Sequence, residues 1–182
     1  MKLIILDRDG VINQDSKAFV KSPDEWLPLP GSLEAMARLS QSGWRIAIAT
    51  NQSGLARGLF DMETLNAMHA KMRRALAGLG GAVDAIFICP HGPEESCACR
   101  KPEPGMLTDI SRRFDTPLTG VPVVGDSLRD LQAAAAAGAQ PWLVRTGNGQ
   151  ATAASSQLPP GTRIADNLTA VVDTLLAEHD TP

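Results

Sequence analysis

The chain contains no tyrosine, and aromatic residues make up only 4% of it, which leaves little material for a platform on which nucleobases stack. Basic residues are not in excess: 17 Lys and Arg stand against 20 Asp and Glu, for a formal charge of −3. No global positive field therefore advertises nucleic acid or an anionic membrane surface. An anionic ligand must be held by a few local cations or by a metal. Long apolar runs are missing too. The first, residues 3–6, is cut off by Asp7, Arg8 and Asp9, too short for a signal-peptide core, and no other run approaches the ~18 apolar residues of a membrane span. The expected location is cytoplasmic. Cysteine is scarce, at three residues clustered as Cys89, Cys97 and Cys99. An odd number in a reducing compartment favours a metal site over a disulfide framework.

What is present suits a globular core. Of 182 residues, 43% are hydrophobic and 20% charged, as expected of one soluble domain spanning residues 1–182. Short β-rich runs at 3–6, 45–49, 83–88, 121–124 and 142–144 alternate with helical patterns. Helices are expected over 32–42, after Asp61 (apolar face Leu65, Met68, Met72, Leu76), after Pro104, over 128–137, and from Leu168 to the last turn. The stretch 147–162, rich in Gly, Ala, Ser and Pro, reads as a surface loop. Strands alternating with helices predict an α/β three-layer sandwich around a mostly parallel sheet. Ligands of such sheets bind beyond the carboxyl ends of the strands.

Those ends carry the chemistry. The first strand runs into Asp7-Arg8-Asp9-Gly10, the second into Thr50-Asn51-Gln52-Ser53-Gly54, and the fourth into Gly125-Asp126-Ser127, with Asp130 a helical turn further on. Lys101 opens the segment leading to the helix before the fourth strand. Clustered carboxylates raise each other's pKa unless a cation joins them, and carboxylate oxygens suit Mg²⁺. One carboxylate can attack phosphorus while another protonates the leaving oxygen. An EF-hand is disfavoured, because Val11 stands where a third ligand should be and the closing glutamate is missing.

In these motifs the chain resembles the phosphatases of the haloacid dehalogenase (HAD) superfamily, whose Rossmann-like fold the resemblance implies. It also implies that Asp7 is the nucleophile and Asp9 the general acid/base. Thr50 and Lys101 would hold the transferring phosphoryl group. Mg²⁺ would bind Asp7, the backbone carbonyl of Asp9, and Asp126, with Asp130 in support. The presence of an acid at Asp9 favours phosphoryl transfer over dehalogenation. The intervals between motifs leave no room for a folded cap domain.

A second constellation is Cys89, His91, Cys97 and Cys99. Four soft or borderline ligands this close suffice for a closed, structural zinc site. Its loop, 89–99, would pin Arg100 and Lys101 toward the active edge. His69 and His179 are expected at the surface, and Met68 and Met72 in the core.

This loop resembles those of two groups within the superfamily, the histidinol-phosphate phosphatases and the heptose bisphosphate phosphatases. The runs 50–58 and 100–106 resemble the heptose group, which removes the C7 phosphate of D-glycero-D-manno-heptose 1,7-bisphosphate on the way to ADP-heptose and lipopolysaccharide core. The retained phosphate of a sugar bisphosphate wants cations such as Arg57 and Arg100. Asn51, Gln52, Ser53 and the segment Asp15, Ser16, Lys17 and Ala18 complete the expected substrate contacts. A histidinol-phosphate or broader phosphatase stays open, as do a phospho-accepting signalling module and a non-catalytic zinc-binding protein. A monomer with a small-molecule partner, and neither nucleic acid nor membrane, is expected.

Overall fold

The computed structural model describes residues 1–179. In chain order the elements are β1 (Leu3–Leu6), α1 (Ser32–Gln41), β2 (Arg45–Asn51), α2 (Met62–Ala77), β3 (Ala85–Cys89) and α3 (Gly105–Phe114). They continue with β4 (Pro122–Gly125), α4 (Leu128–Ala136), β5 (Gln140–Val144), α5 (Gly149–Ala153), β6 (Arg163–Ala165) and α6 (Leu168–His179). Strand side chains alternate between the faces of a sheet, and β1 shows what this does here. Leu3 and Ile5 enter one apolar cluster with Met106, Leu107 and Ile110 of α3 and Ala133 and Ala134 of α4. Ile4 and Leu6 enter the opposite cluster with α1, α2 and α6. A strand buried on both faces needs a continuous apolar run, which explains why Leu-Ile-Ile-Leu does not alternate with polar residues.

The six strands lie in the order β3-β2-β1-β4-β5-β6, and every pairing is parallel. The chain builds outward from β1 through β2 to β3, then returns to β4 on the other side of β1 and builds outward again. The order therefore reverses between β1 and β4, the place where an open α/β sheet leaves a crevice beyond its carboxyl ends. Asp7 and Asp126 sit at the tips of these two neighbouring strands.

Local signals agree with the elements. Asp61 caps α2, its side chain accepting from the Thr64 amide at 2.8 Å. Ser127 and Asp130 form a reciprocal capping box at the start of α4. Two expectations need correction. The stretch 147–162 is not loop alone, because α5 lies within it. The sheet also has a sixth strand: β6 is three residues long with Ile164 exposed, so no apolar pattern announces it. It is held by pairing to β5 and by Arg163, whose guanidinium lies 4.1 Å over the Trp142 ring.

Candidate active site

The Asp7 amide donates to the Val124 carbonyl at 2.9 Å, tying the end of β1 to β4 and setting the Asp7 side chain beside that of Asp126. Oxygens of Asp7, Asp126 and Asp130 all lie within 4.8 Å of one another. Into this group Lys101 extends its ammonium, 2.9 Å from Asp7 Oδ1 and 2.7 Å from Asp130 Oδ1. It also donates to the Ala49 carbonyl at 2.8 Å. Lys101 is buried; burial alone would lower its pKa, but Asp130 and Asp7 together hold it above the ordinary lysine value. Asp130 is lowered despite its burial, through Lys101 and the Ser127 hydroxyl.

Asp7 and Asp126 go the other way. Burial pushes Asp7 up to about 8, Lys101 opposing and the Asp130, Asp126 and Asp9 charges adding to the rise. Burial and the Asp130 charge push Asp126 to about 6, although Asn148 donates to it. One lysine thus does not neutralise the group. Three crowded carboxylates with oxygen-only donors fit a hard divalent cation such as Mg²⁺. Asp130 has both oxygens engaged, one by Lys101 and the other by Ser127, so Asp7 and Asp126 are the better-placed ligands and Asp130 supports the lysine.

Close packing fixes Asp126. A Cβ on Gly10, whose φ is +83°, would collide with Asp126 Oδ2, and so would one on Gly147. The Asn148 backbone and side-chain amides donate to the same oxygen at 2.8 and 3.1 Å.

The strand β2 ends in a second network. Asn51 exchanges two hydrogen bonds with the backbone of Lys101. Gln52 donates to Thr50 Oγ1 at 2.9 Å and to Asp9 Oδ2 at 3.1 Å. Expected as substrate contacts, these two amides line the cleft but are engaged in positioning the residues around them.

The cleft above has a volume of about 390 Å³. Asp7, Asp9, Asp126 and Asp130 line it together with Thr50, Lys101, Ser53, Arg57 and Arg100. Of the segment 15–18, Asp15 and Ser16 reach it but Lys17 and Ala18 do not. Phe19 and Val20 do instead, Phe19 at a turn with φ +64° and under the Arg57 guanidinium, 5.6 Å away. Sequence reasoning placed Phe19 in the loop near the substrate but missed Val20, Pro93, Arg129 and Asn148. Asn148 was legible by the rule applied to the other strands, since it follows β5 just beyond its carboxyl end. Arg129, in the first turn of α4, lies three residues beyond Asp126. His69 is not a surface residue: it is 8% exposed, with Nε2 3.3 Å from Arg8. Met68 and Met72 are core residues, as expected.

Cys89, His91, Cys97 and Cys99 converge as a second cluster beside the cleft. Sulfur–sulfur separations are 3.0 to 3.8 Å, and His91 Nδ1 lies 3.6 and 3.3 Å from Cys89 and Cys99. A tetrahedron with Zn–S near 2.3 Å and Zn–N near 2.05 Å has edges of about 3.8 and 3.6 Å. Burial pushes the Cys89 thiol up to about 12, and the three cysteines form no disulfide. The donor set fits zinc: the separations of Cys97 from Cys89 and Cys99, 3.8 and 3.7 Å, match the tetrahedral edge, and the Cys89–Cys99 pair, at 3.0 Å, lies closer. Arg100 follows directly and donates to the His91 carbonyl at 3.2 Å.

One family model, described as HAD-hydrolase-like, matches residues 98–171, and another, described as polynucleotide kinase 3 phosphatase, matches residues 2–134. The D-glycero-β-D-manno-heptose-1,7-bisphosphate 7-phosphatase of Bordetella bronchiseptica is 70% identical over 98% of this chain and 99% of its own length. The chain belongs to the D-glycero-D-manno-heptose-1,7-bisphosphate 7-phosphatase family of HAD hydrolases.

A member from Pseudomonas aeruginosa is 55% identical over 96% of this chain and 97% of its own. The B. bronchiseptica enzyme, solved with magnesium and phosphate, superposes with a TM-score of 0.97 at 70% identity, covering 98% of this chain and 99% of that one. The Burkholderia thailandensis heptose bisphosphate phosphatase gives 0.79 at 52% identity, over 97% and 99%. The fold expected from the motifs, capless and with a Cys/His loop, is the fold of this family.

Proposed function

We propose that the chain hydrolyses the C7 phosphate of D-glycero-D-manno-heptose 1,7-bisphosphate in a Mg²⁺-dependent reaction, using Asp7 as nucleophile and leaving the C1 phosphate in place. The observation that carries the chemistry is the convergence of Asp7, Lys101 and Asp126 at the sheet's reversal point, in a chain 70% identical to an enzyme of that name. In this reading Asp7, the Asp9 carbonyl and Asp126 hold the ion. When bound, Mg²⁺ offsets negative charge on the transferring phosphoryl group.

The chain's own residues do the rest. The Asp7 carboxylate attacks phosphorus and forms an aspartyl-phosphate, while the bond to the sugar oxygen breaks and the Asp9 carboxyl gives that oxygen its proton. Asp9 then takes a proton from the water that attacks the aspartyl-phosphate, releasing inorganic phosphate and restoring Asp7. Lys101 and Thr50 hold the phosphoryl oxygens. Arg57, Arg100 and Arg129, spaced around the cleft, supply positive charge for the retained phosphate. Asp15, Ser16 and Ser53 are placed for sugar hydroxyls. Zinc on the Cys/His loop is structural, since protein fills all four positions. The single-domain, monomeric and cytoplasmic reading of the sequence belongs to the same proposal; no helix among the described residues is long and apolar enough to cross a membrane.

The test is phosphate release from the heptose bisphosphate, with Mg²⁺ and with EDTA, for the wild type and Asp7→Asn. Fast turnover abolished by EDTA and by the substitution is expected. Turnover on histidinol phosphate instead would keep the mechanism and overturn the substrate.

A further inference from the structure

Between nucleophile and acid stands Arg8, a fully buried arginine that the reaction as described does not use. A guanidinium stays charged in proteins, and burying one is costly unless it is paired and hydrogen-bonded. Its pairing is therefore informative. Nε and Nη2 donate to Asp9 Oδ1 at 3.1 and 2.9 Å, and Nη2 also to Oδ2 at 3.0 Å. Nη2 reaches Gln52 Oε1 at 3.3 Å, and that same amide donates back to Asp9 Oδ2 and to Thr50. Nη1 faces His69 Nε2 at 3.3 Å.

Arginine has only donors, so His69 must present an unprotonated Nε2 and carry its proton on Nδ1. Burial and the Arg8 charge agree, lowering the imidazole to about 4 and keeping it neutral. Asn13, itself buried, adds a donor to Asp9 Oδ1 at 2.8 Å. The Asp9 carboxylate is thus gripped from behind by Arg8, Asn13 and Gln52, while 22% of its side chain remains open, and that open side borders the cleft.

We infer that Arg8, backed by neutral His69, is a positioning residue that sets the direction in which Asp9 hands its proton to the leaving oxygen. Arg8 is shut away from the cleft and touches no substrate; it acts through Asp9 and, by way of Gln52, through Thr50. A fork of parallel donors fixes the plane of a carboxylate as a single lysine ammonium cannot.

The inference rests on the phosphatase reading, and its test separates the two. Proton delivery matters for an alkoxide leaving group and little for a nitrophenolate. The ratio of kcat/KM for the heptose bisphosphate to that for 4-nitrophenyl phosphate reports acid catalysis, and it does not depend on how much of a preparation is folded. In Arg8→Met this ratio is expected to fall at least tenfold, and in Arg8→Lys about threefold, while turnover of the aryl ester persists. A ratio within about 1.5-fold of wild type in both variants overturns the inference. Should Arg8→Met prove insoluble, Arg8→Lys, which keeps a buried cation, decides alone on the same criterion. A wild type with no Asp7-dependent turnover of either ester overturns the phosphatase reading, and this inference with it.

Discussion

Asn51 and Lys101 are joined by reciprocal hydrogen bonds: Asn51 Nδ2 donates to the Lys101 carbonyl and the Lys101 amide donates to Asn51 Oδ1, both at 3.1 Å. The pair fastens the loop carrying Lys101 to the end of β2, so the ammonium arrives between Asp7 and Asp130 from a fixed base.

Breaking that pair should misplace the ammonium without removing it. Each bond is worth about 1 kcal/mol net, and about 1.4 kcal/mol is tenfold in rate. Asn51→Ala should lower kcat/KM about tenfold or more. Asn51→Asp, which keeps the acceptor and loses the donor, should fall between it and wild type. Steady-state kinetics on the heptose bisphosphate check the order.

The Cys/His loop should be coupled to the same lysine. Cys99→Ser removes one of the four candidate zinc ligands two residues before Lys101, and Arg100 leans on the His91 carbonyl. Structural zinc contributes directly to folding free energy. Elemental analysis should find about one zinc per wild-type chain and much less in the variant, with a lower Tm and reduced turnover. Wild-type zinc content together with wild-type turnover in the variant would contradict the coupling.

Gly10 is the position where a single methyl should cost metal affinity. At φ +83° an alanine is strained, and its Cβ would run into Asp126 Oδ2. Gly10→Ala should raise the Mg²⁺ concentration for half-maximal rate at least tenfold. Excess Mg²⁺ should recover part of the activity. A magnesium titration of turnover measures both.

His69 gives a pH dependence of stability. Its pKa falls from 6.5 to about 4 on folding, through burial first and the Arg8 charge second. The unfolded chain therefore binds the extra proton more readily, so stability should be complete above pH 6.5 and decline as pH falls toward 4. At 1.36 kcal/mol per pKa unit the full effect is about 3 kcal/mol. Urea midpoints at pH 7 and pH 5 should differ more for the wild type than for His69→Gln.

Much of this site was legible because its residues follow strands. Asp7, Thr50 and Asp126 are each the first polar break after or at the end of an apolar run, and a parallel sheet brings such breaks to one edge. The Cys/His cluster was legible by chemistry alone, since soft donors rarely gather otherwise. What escaped had no such marker. Arg8 was hidden because a charged residue beside two aspartates reads as solvated, and only tertiary packing closes His69 over it. Lys17 and Ala18 stand off the cleft, and the left-handed turn at Phe19 that carries them away has no glycine to announce it. The short strand β6 is edge backbone with an exposed isoleucine, and periodicity has nothing to detect there.

The reversal of strand order between β1 and β4 has a bearing on synthesis. A nascent chain emerging from the ribosome presents Asp7 first, whereas Asp126 follows only 119 residues later. Until β4 slots in beside β1, Asp7 lacks the neighbour with which it is proposed to share an ion, so chains that stop short of β4 should be inert toward cellular phosphate esters. Catalytic competence then marks chains whose two halves have met.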